Sequence, residues 1–138
     1  FDERKELCDK MMEESPKKLP IIVETLPNNN LPHTQKILYM VARNTTILNL
    51  SQKLRRKMRL NHKQEENLMF IIMSRIGNAS IWRCTRIDEK LWSLYHDNKD
   101  LDGFLYLKMG NKEKINWDKL SKNCGNYQND LFINNVFD

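Results

Sequence analysis

The stretch KILYMVA, residues 36–42, decides the fold of this chain. In an extended strand Ile37, Tyr39 and Val41 point to one face, and the apolar residues that alternate with them point to the other. A strand with two apolar faces is a buried strand, because each face has to be removed from water. The sequence therefore predicts that both faces of this strand are covered, and it leaves open what covers the second face.

Length and composition indicate one globular domain. The chain has 138 residues, of which 40% are hydrophobic and 30% are charged, as in soluble domains. It has no apolar run near the roughly 18 residues that span a bilayer and no charged-then-apolar leader, so we expect a cytoplasmic protein. Three widely spaced cysteines, Cys8, Cys84 and Cys124, favour free thiols over a disulfide framework.

Basic residues are concentrated in one part of the chain. Residues 26–64 contain no Asp or Glu, but they contain eight basic residues. These are Lys36, Arg43, Lys53, Arg55, Arg56, Lys57, Arg59 and Lys63. The segment predicts either an ordinary solvated helix face or a docking surface for an acidic peptide, a nucleic acid or lipid headgroups, and both interpretations stay open.

The first half of the chain predicts a helix, an antiparallel strand pair and a second helix. Residues 2–14 lack Gly and Pro and predict a helix, and the β-branched run 19–25 predicts a strand that returns through a turn-rich loop into 36–42. Thr45 or Thr46 is placed to cap the second helix. The apolar positions of that helix, spaced by three and four, are Ile47, Leu50, Leu54 and Met58.

The second half predicts a strand, a short helix and a last strand. Residues 67–73 predict a central strand, 74–86 an irregular connection, 87–98 a helix and 103–109 the last strand. Two strands, a main helix and two further strands are typical of an α+β, ubiquitin-like β-grasp fold, in which a four-stranded mixed sheet wraps around one main helix.

The domain division follows from composition. We expect residues 1–109 to form the ubiquitin-like domain with its N-terminal helix. Residues 110–138 are dominated by Lys, Asn and Asp, and we expect them to be a C-terminal extension that is docked or partly disordered.

The order of these features resembles one known family. FDERKELCDKMMEESPKKLPIIVE, residues 1–24, is similar to the start of the autophagy-related ubiquitin-like modifiers, the light chain 3 and GABA-receptor-associated protein family. The resemblance continues to Leu60 and returns at LWSLYHDNKDLDGFLYL, residues 91–107. It implies an N-terminal helix on one sheet face and the main helix on the other, with the strand at 36–42 as an edge to which short aromatic-x-x-aliphatic peptides add as a further strand.

The resemblance also implies the residues of the peptide site. It places the aromatic pocket at Leu7, Met11, Pro20, Leu38, Met40 and Phe104. It places the aliphatic pocket at Tyr39, Val41, Ala42, Thr45, Leu50 and Lys53. Lys18 and Lys36 would face acidic residues that flank the peptide motif. The implied partners are therefore proteins that carry short autophagy-receptor motifs.

The C-terminal region departs from the family pattern. Relatives end in a Gly that is joined to phosphatidylethanolamine, whereas Asn116 stands at the corresponding position here, so only Gly125 is left as a candidate for lipid conjugation. If the chain is conjugated, it also has conjugation enzymes as partners and an autophagosome or other endomembrane as its location. The sequence WDKL, residues 117–120, itself fits the recognised motif and predicts that the tail can close its own groove, which would make the chain a structural subunit.

Other function classes have less support in the sequence. No pair of groups is arranged for acid-base or nucleophilic work, so we expect no enzyme and no cofactor. His33, His62 and His96 lack metal-ligand spacing. A nucleic-acid-binding or lipid-headgroup-binding module based on the basic helix remains the alternative, although no aromatic residues alternate with its cations for single-strand stacking.

Overall fold

The computed structural model describes residues 2–26, 31, 37–63, 68–76, 79–111 and 135–137. The helices are α1 (Asp2–Glu14), α2 (Ile47–Met58) and α3 (Leu91–Asn98). The strands are β1 (Lys18–Thr25), β2 (Ile37–Ala42), β3 (Leu68–Ile76), β4 (Ala79–Cys84), β5 (Leu105–Asn111) and β6 (Asn135–Phe137).

One mixed sheet contains all six described strands, in the order β4-β3-β5-β1-β2-β6. β1 is antiparallel to β2 and parallel to β5, whereas β3 is antiparallel to both of its neighbours. This arrangement confirms the predicted α+β grasp fold, with its N-terminal helix and its main helix. The predicted number of four strands was wrong, because β4 and β6 extend the sheet by one strand on each edge.

The predicted irregular connection at 74–86 was also wrong. β3 continues to Ile76, and β4 folds back on it with Ile76 opposite Ala79 and Ile71 opposite Cys84. The predicted short helix begins only at Leu91, and Ile87 lies in the preceding turn with 65% of its surface exposed. In the described residues, the segment before α3 therefore holds two antiparallel strands and a turn at 87–88.

α2 is defined by its caps. Thr46 Oγ1 accepts a hydrogen bond from Asn49 N at 3.1 Å, and Asn49 Oδ1 accepts one from Thr46 N at 3.3 Å, so the helix begins with a capping box. It ends at Arg59, which adopts a left-handed conformation with φ 54°. Ile47, Leu50 and Leu54 are buried, which confirms the predicted apolar face of the helix.

The sheet is covered on both faces, which answers the question that residues 36–42 raise. Ile37, Tyr39 and Val41 lie in the main core, together with the buried faces of α2 and α3. Leu38 lies on the opposite face, in a smaller cluster with Cys8 of α1. α1 and α2 therefore pack on opposite faces of the strand that was predicted to form the functional edge.

None of the described helices combines the length and the hydrophobicity that a membrane crossing requires.

Candidate functional site

The two long edges of β2 have different partners. One edge pairs with β1 in antiparallel register from Val23↔Ile37 to Lys18↔Ala42. The other edge pairs with β6 in parallel register, with Ile37 opposite Asn135 and Tyr39 opposite Phe137. The edge that the family resemblance assigns to peptides thus carries a strand from the C-terminal region of the same chain.

The tail strand differs from the one that the sequence suggested. The motif-like residues 117–120 lie outside the described residues, and the strand on β2 is formed by 135–137. A run of three residues is too short to give a strand pattern in a sequence, so no periodicity indicated it.

The residues assigned to the aromatic pocket lie together beneath α1. Leu38 and Phe104 are fully buried in the cluster that contains Cys8, and Leu7 and Met11 pack against that cluster while remaining partly exposed. Pro20 and Met40 are register partners across β1 and β2, and both are buried. The structure therefore brings all six residues to the α1 face of the sheet around β2.

The residues assigned to the aliphatic pocket divide into two groups. Tyr39, Val41 and Leu50 belong to the main core and are at most 3% exposed. The other three lie around the end of β2, where Thr45 is buried while Ala42 and Lys53 are exposed. Burial raises the pKa of Tyr39 to about 12, so its hydroxyl stays protonated at physiological pH.

Lys18 and Lys36 are the two lysines assigned to the rim of the site. Lys18 is partly exposed and lies opposite Ala42, whereas Lys36 lies outside the described residues. The accessible rim of the site is therefore apolar at Leu7 and Met11 and basic near the end of β2.

A buried carboxylate holds α1 against this site. Asp102 is 1% exposed, its Oδ2 lies 3.5 Å from Arg4 Nε, and its Oδ1 accepts a hydrogen bond from Phe104 N at 2.9 Å. The hydroxyl of Tyr106 donates a very short hydrogen bond to Asp102, and burial together with that carboxylate raises the pKa of Tyr106. Asp102 therefore fixes Phe104, an assigned pocket residue, and α1 in one arrangement.

The turn after Asp102 requires glycine. Gly103 has φ +94°, a conformation that residues with a Cβ rarely adopt, and a Cβ there would lie 2.7 Å from Cys8 Sγ. Tyr95 Oη donates a hydrogen bond to Gly103 O at 2.8 Å. α1, α3 and the start of β5 therefore meet at this turn, and sequence reasoning did not identify this junction.

Outside this site, the carboxylate of Glu89 is held by structural hydrogen bonds. Glu89 accepts hydrogen bonds from Arg83 Nη2 at 3.1 Å and from Arg86 N at 2.6 Å. Burial raises the pKa of Glu89, but these hydrogen bonds outweigh it and the net pKa is lowered. Within the part of the chain that the structure describes, no three His, Cys, Asp or Glu side chains are grouped as metal ligands would be.

Comparison with known proteins places this architecture in one family. The family described as "Autophagy protein Atg8 ubiquitin like" matches residues 3–115. Autophagy-related protein 8e of Arabidopsis thaliana is 28% identical over 107 residues, which cover 78% of this chain and 80% of the relative. An autophagy-related protein 8-like protein of Dictyostelium discoideum is 26% identical over 107 residues, which cover 78% and 80% of the two chains.

A solved structure shares the fold. The crystal structure of Trypanosoma brucei ATG8 superposes with a TM-score of 0.63 at 24% sequence identity, covering 80% of this chain and 86% of that chain. The family match extends from α1 past the end of β5, and it includes every element that forms the two faces of β2. This chain belongs to the Atg8 family of ubiquitin-like autophagy proteins.

Proposed function

We propose that the chain is an adaptor that captures short aromatic-x-x-aliphatic peptides by strand addition along Ile37–Ala42. The observation that supports this most directly is that the outer edge of β2 takes a parallel strand, since β6 pairs there. An edge that accepts one extended segment presents the row of backbone donors and acceptors that another segment needs. Backbone pairing gives affinity in this mode, and pockets for alternate side chains give specificity.

Two assigned pockets flank that edge, one on each face of the sheet. The aromatic side chain of the peptide would insert beside Leu7 and Met11, the partly exposed residues of the α1 cluster. The aliphatic side chain would pack near Ala42, where β2 ends before α2. Opposite pockets suit a strand, because side chains three positions apart point to opposite faces.

Magnitudes are consistent with regulated, reversible binding. Burying two large side chains contributes roughly 3 to 6 kcal/mol, and a few strand hydrogen bonds add about 1 kcal/mol each. The upper end of this sum corresponds to a Kd near micromolar, which is a binding free energy of about −8 kcal/mol, and the cost of ordering the peptide makes the affinity weaker than that upper end.

The direct test is an NMR titration of the isotopically labelled full chain with a Trp-x-x-Leu peptide that carries acidic flanks. We expect amide shifts centred on residues 37–42 and a micromolar or weaker Kd. A peptide in which Trp and Leu are both replaced by alanine is the matched ligand control and should leave these amides unchanged. Shifts confined to α2 with both peptides would contradict pocket recognition and would favour a general basic surface.

A pair of exposed α2 residues supplies a protein control that does not disturb the core. Lys53 and Arg56 are both exposed on the same helix, but only Lys53 is assigned to the site. Lys53→Glu should weaken binding of the acidic-flanked peptide roughly 3- to 10-fold by like-charge repulsion, and Arg56→Glu should change it less than twofold. Equal losses for the two variants would assign the effect to net charge.

Membrane conjugation through Gly125 stays a prediction, since Gly125 lies outside the described residues. It would add conjugation enzymes and a phosphatidylethanolamine membrane to the partners and would place the adaptor on autophagosomes. Nucleic-acid or lipid-headgroup binding by Arg55, Arg56, Lys57 and Arg59 is the alternative prediction, and a steep loss of affinity with salt would support it.

A further inference from the structure

We propose that β6 is a built-in competitor of the peptide site, a tail strand that must leave the outer edge of β2 before a partner peptide can pair there. This inference rests on the proposed function, because it assigns a regulator to the same edge. It makes the C-terminal region a tether that sets the affinity of the adaptor for external peptides.

The pairing register shows why the two strands exclude each other. β6 lies parallel to β2, with Ile37, Leu38 and Tyr39 opposite residues 135–137. An edge strand has a single row of outward backbone donors and acceptors, so an external strand cannot pair with Ile37–Tyr39 while β6 occupies it. Occupancy by β6 therefore closes the first half of the proposed binding edge.

The second half of β2 gives a peptide a place to start. In the described part of the chain Met40, Val41 and Ala42 pair with β1, and the register of β6 does not extend to them. A peptide can thus make its first contacts next to Ala42 and displace β6 residue by residue. Stepwise displacement needs no unfolding of the domain, since the β1–β2 pairing stays in place.

The sheet topology makes the intramolecular pairing easy to form. β5 is parallel to β1, β1 is antiparallel to β2, and β2 is parallel to β6. β5 therefore ends at the side of the sheet where β6 begins, three strand spacings or roughly 14 Å away. The connection 112–134 spans that distance several times over at roughly 3.3 Å per residue when extended.

Tethering converts a weak strand into an effective competitor. A strand that is covalently tethered to the domain has an effective concentration on the order of 1 mM at its own docking site. If the isolated tail strand binds with a Kd near 0.1 mM, the closed state exceeds the open state about tenfold, and the apparent affinity for an external peptide falls by about the same factor.

The test compares three forms of the full chain: the unchanged protein, Val136→Pro with Phe137→Pro, and Val136→Ile with Phe137→Tyr. Alternate residues of an edge strand turn their amides toward the neighbouring strand, so two consecutive prolines remove at least one pairing amide whichever residues face β2. The Ile and Tyr variant changes the same two positions while it keeps both amides and strand propensity.

The first measurement uses no peptide and follows amide hydrogen exchange in β2 by NMR. We expect the outward-facing amides among residues 37–39 to exchange at least tenfold faster in the proline variant, and to remain unchanged in the Ile and Tyr variant. Identical exchange in all three forms would overturn the proposal. Protection that depends on protein concentration between about 10 and 300 μM would assign the pairing to a second copy and would also overturn it.

The second measurement titrates each form with the acidic-flanked Trp-x-x-Leu peptide. We expect about tenfold tighter binding to the proline variant than to the other two forms. Equal affinities in all three forms would overturn the regulatory role while leaving the proposed adaptor function intact. No binding to any form, the proline variant included, would overturn the adaptor function itself and with it the competitor role of β6.

Discussion

The two faces of β2 are buried by layers of different size. Ile37, Tyr39 and Val41 belong to the main core, which contains the buried residues of α2 and α3 and extends along the sheet to β3 and β5. Leu38 belongs to a smaller cluster under α1, and in that fully described helix Cys8 is the buried residue. A helix with one buried residue can loosen while the rest of the domain stays folded, so we expect the α1 face to be the more adjustable side of the site once the Arg4–Asp102 contact opens.

The largest expected effect separates the two faces directly. Leu50 and Leu38 are both 0% exposed, the first in the main core and the second under α1. Leu50→Ala should lower the free energy of unfolding by about 4 kcal/mol, and Leu38→Ala by about 2 kcal/mol, because α1 can move in and reduce the cavity. Chemical denaturation monitored by circular dichroism measures both values.

Leu48→Ala is the control for this pair. Leu48 is on α2 and is 42% exposed, so its substitution should cost less than about 0.5 kcal/mol. Equal losses at Leu50 and Leu38 would mean that the cluster under α1 is as rigid as the main core, and the distinction between the two faces would not hold.

Local sequence patterns predicted most of the fold. The Gly-free and Pro-free run at 2–14, the Thr46 cap and the i, i+3, i+4 spacing of α2 are properties of neighbouring residues, and the structure confirms each of them. The hairpin was missed because the sequence changes from an apolar run at 67–73 to a mixed pattern at 74–86. The Gly77-Asn78 dipeptide, typical of two-residue hairpin loops, was the usable signal.

The site was less predictable because it depends on contacts that are distant in sequence. Asp102 meets Arg4, which is almost a hundred residues away in the chain, and no local pattern indicates such a contact. β6 reaches β2 from almost a hundred residues away, and pairing of that kind leaves no periodic pattern in so short a strand. The assigned pocket residues came from family resemblance, and their role in binding peptides stays a prediction.

The next effect concerns the junction that holds α1. Gly103→Ala should lower the free energy of unfolding by about 2 kcal/mol, because alanine at φ +94° is strained and its Cβ would lie 2.7 Å from Cys8 Sγ. Native-state hydrogen exchange should show α1 amides losing protection before those of α2. The loss of protection tests whether the damage stays on the adjustable face.

A double-mutant cycle with Cys8→Ala separates strain from steric conflict. Removing Sγ leaves Cys8 Cβ, which would be 3.5 Å from the new Cβ and therefore in ordinary van der Waals contact. In the Cys8→Ala background, Gly103→Ala should cost about 1 kcal/mol less than in the native chain. Additive costs would show that backbone strain alone explains the effect and that α1 does not rest on this turn.

The smallest effect is a pH dependence centred on the same cysteine. Burial, with a smaller contribution from Asp102, raises the pKa of Cys8 from 9.0 to about 12. A thiol whose pKa is higher in the folded than in the unfolded state stabilises the fold fully below pH 9, and this contribution is lost as pH rises from about 9 toward 12. In a Cys124→Ser background, the protein that keeps Cys8 should therefore lose about 1 kcal/mol more stability between pH 8 and pH 10 than the protein with Cys8→Ala. Denaturant titration at the two pH values measures this difference.

Thiol labelling at pH 8 gives an independent measure of the same burial: exposed Cys84 should react first, and Cys8 only as fast as α1 opens. Equal labelling rates for Cys8 and Cys84, together with identical pH profiles for the two proteins, would mean that α1 opens rapidly and exposes Cys8 to solvent. The α1 face would then be open in the resting protein, and Leu7 and Met11 would be available to a peptide without any loosening of the helix.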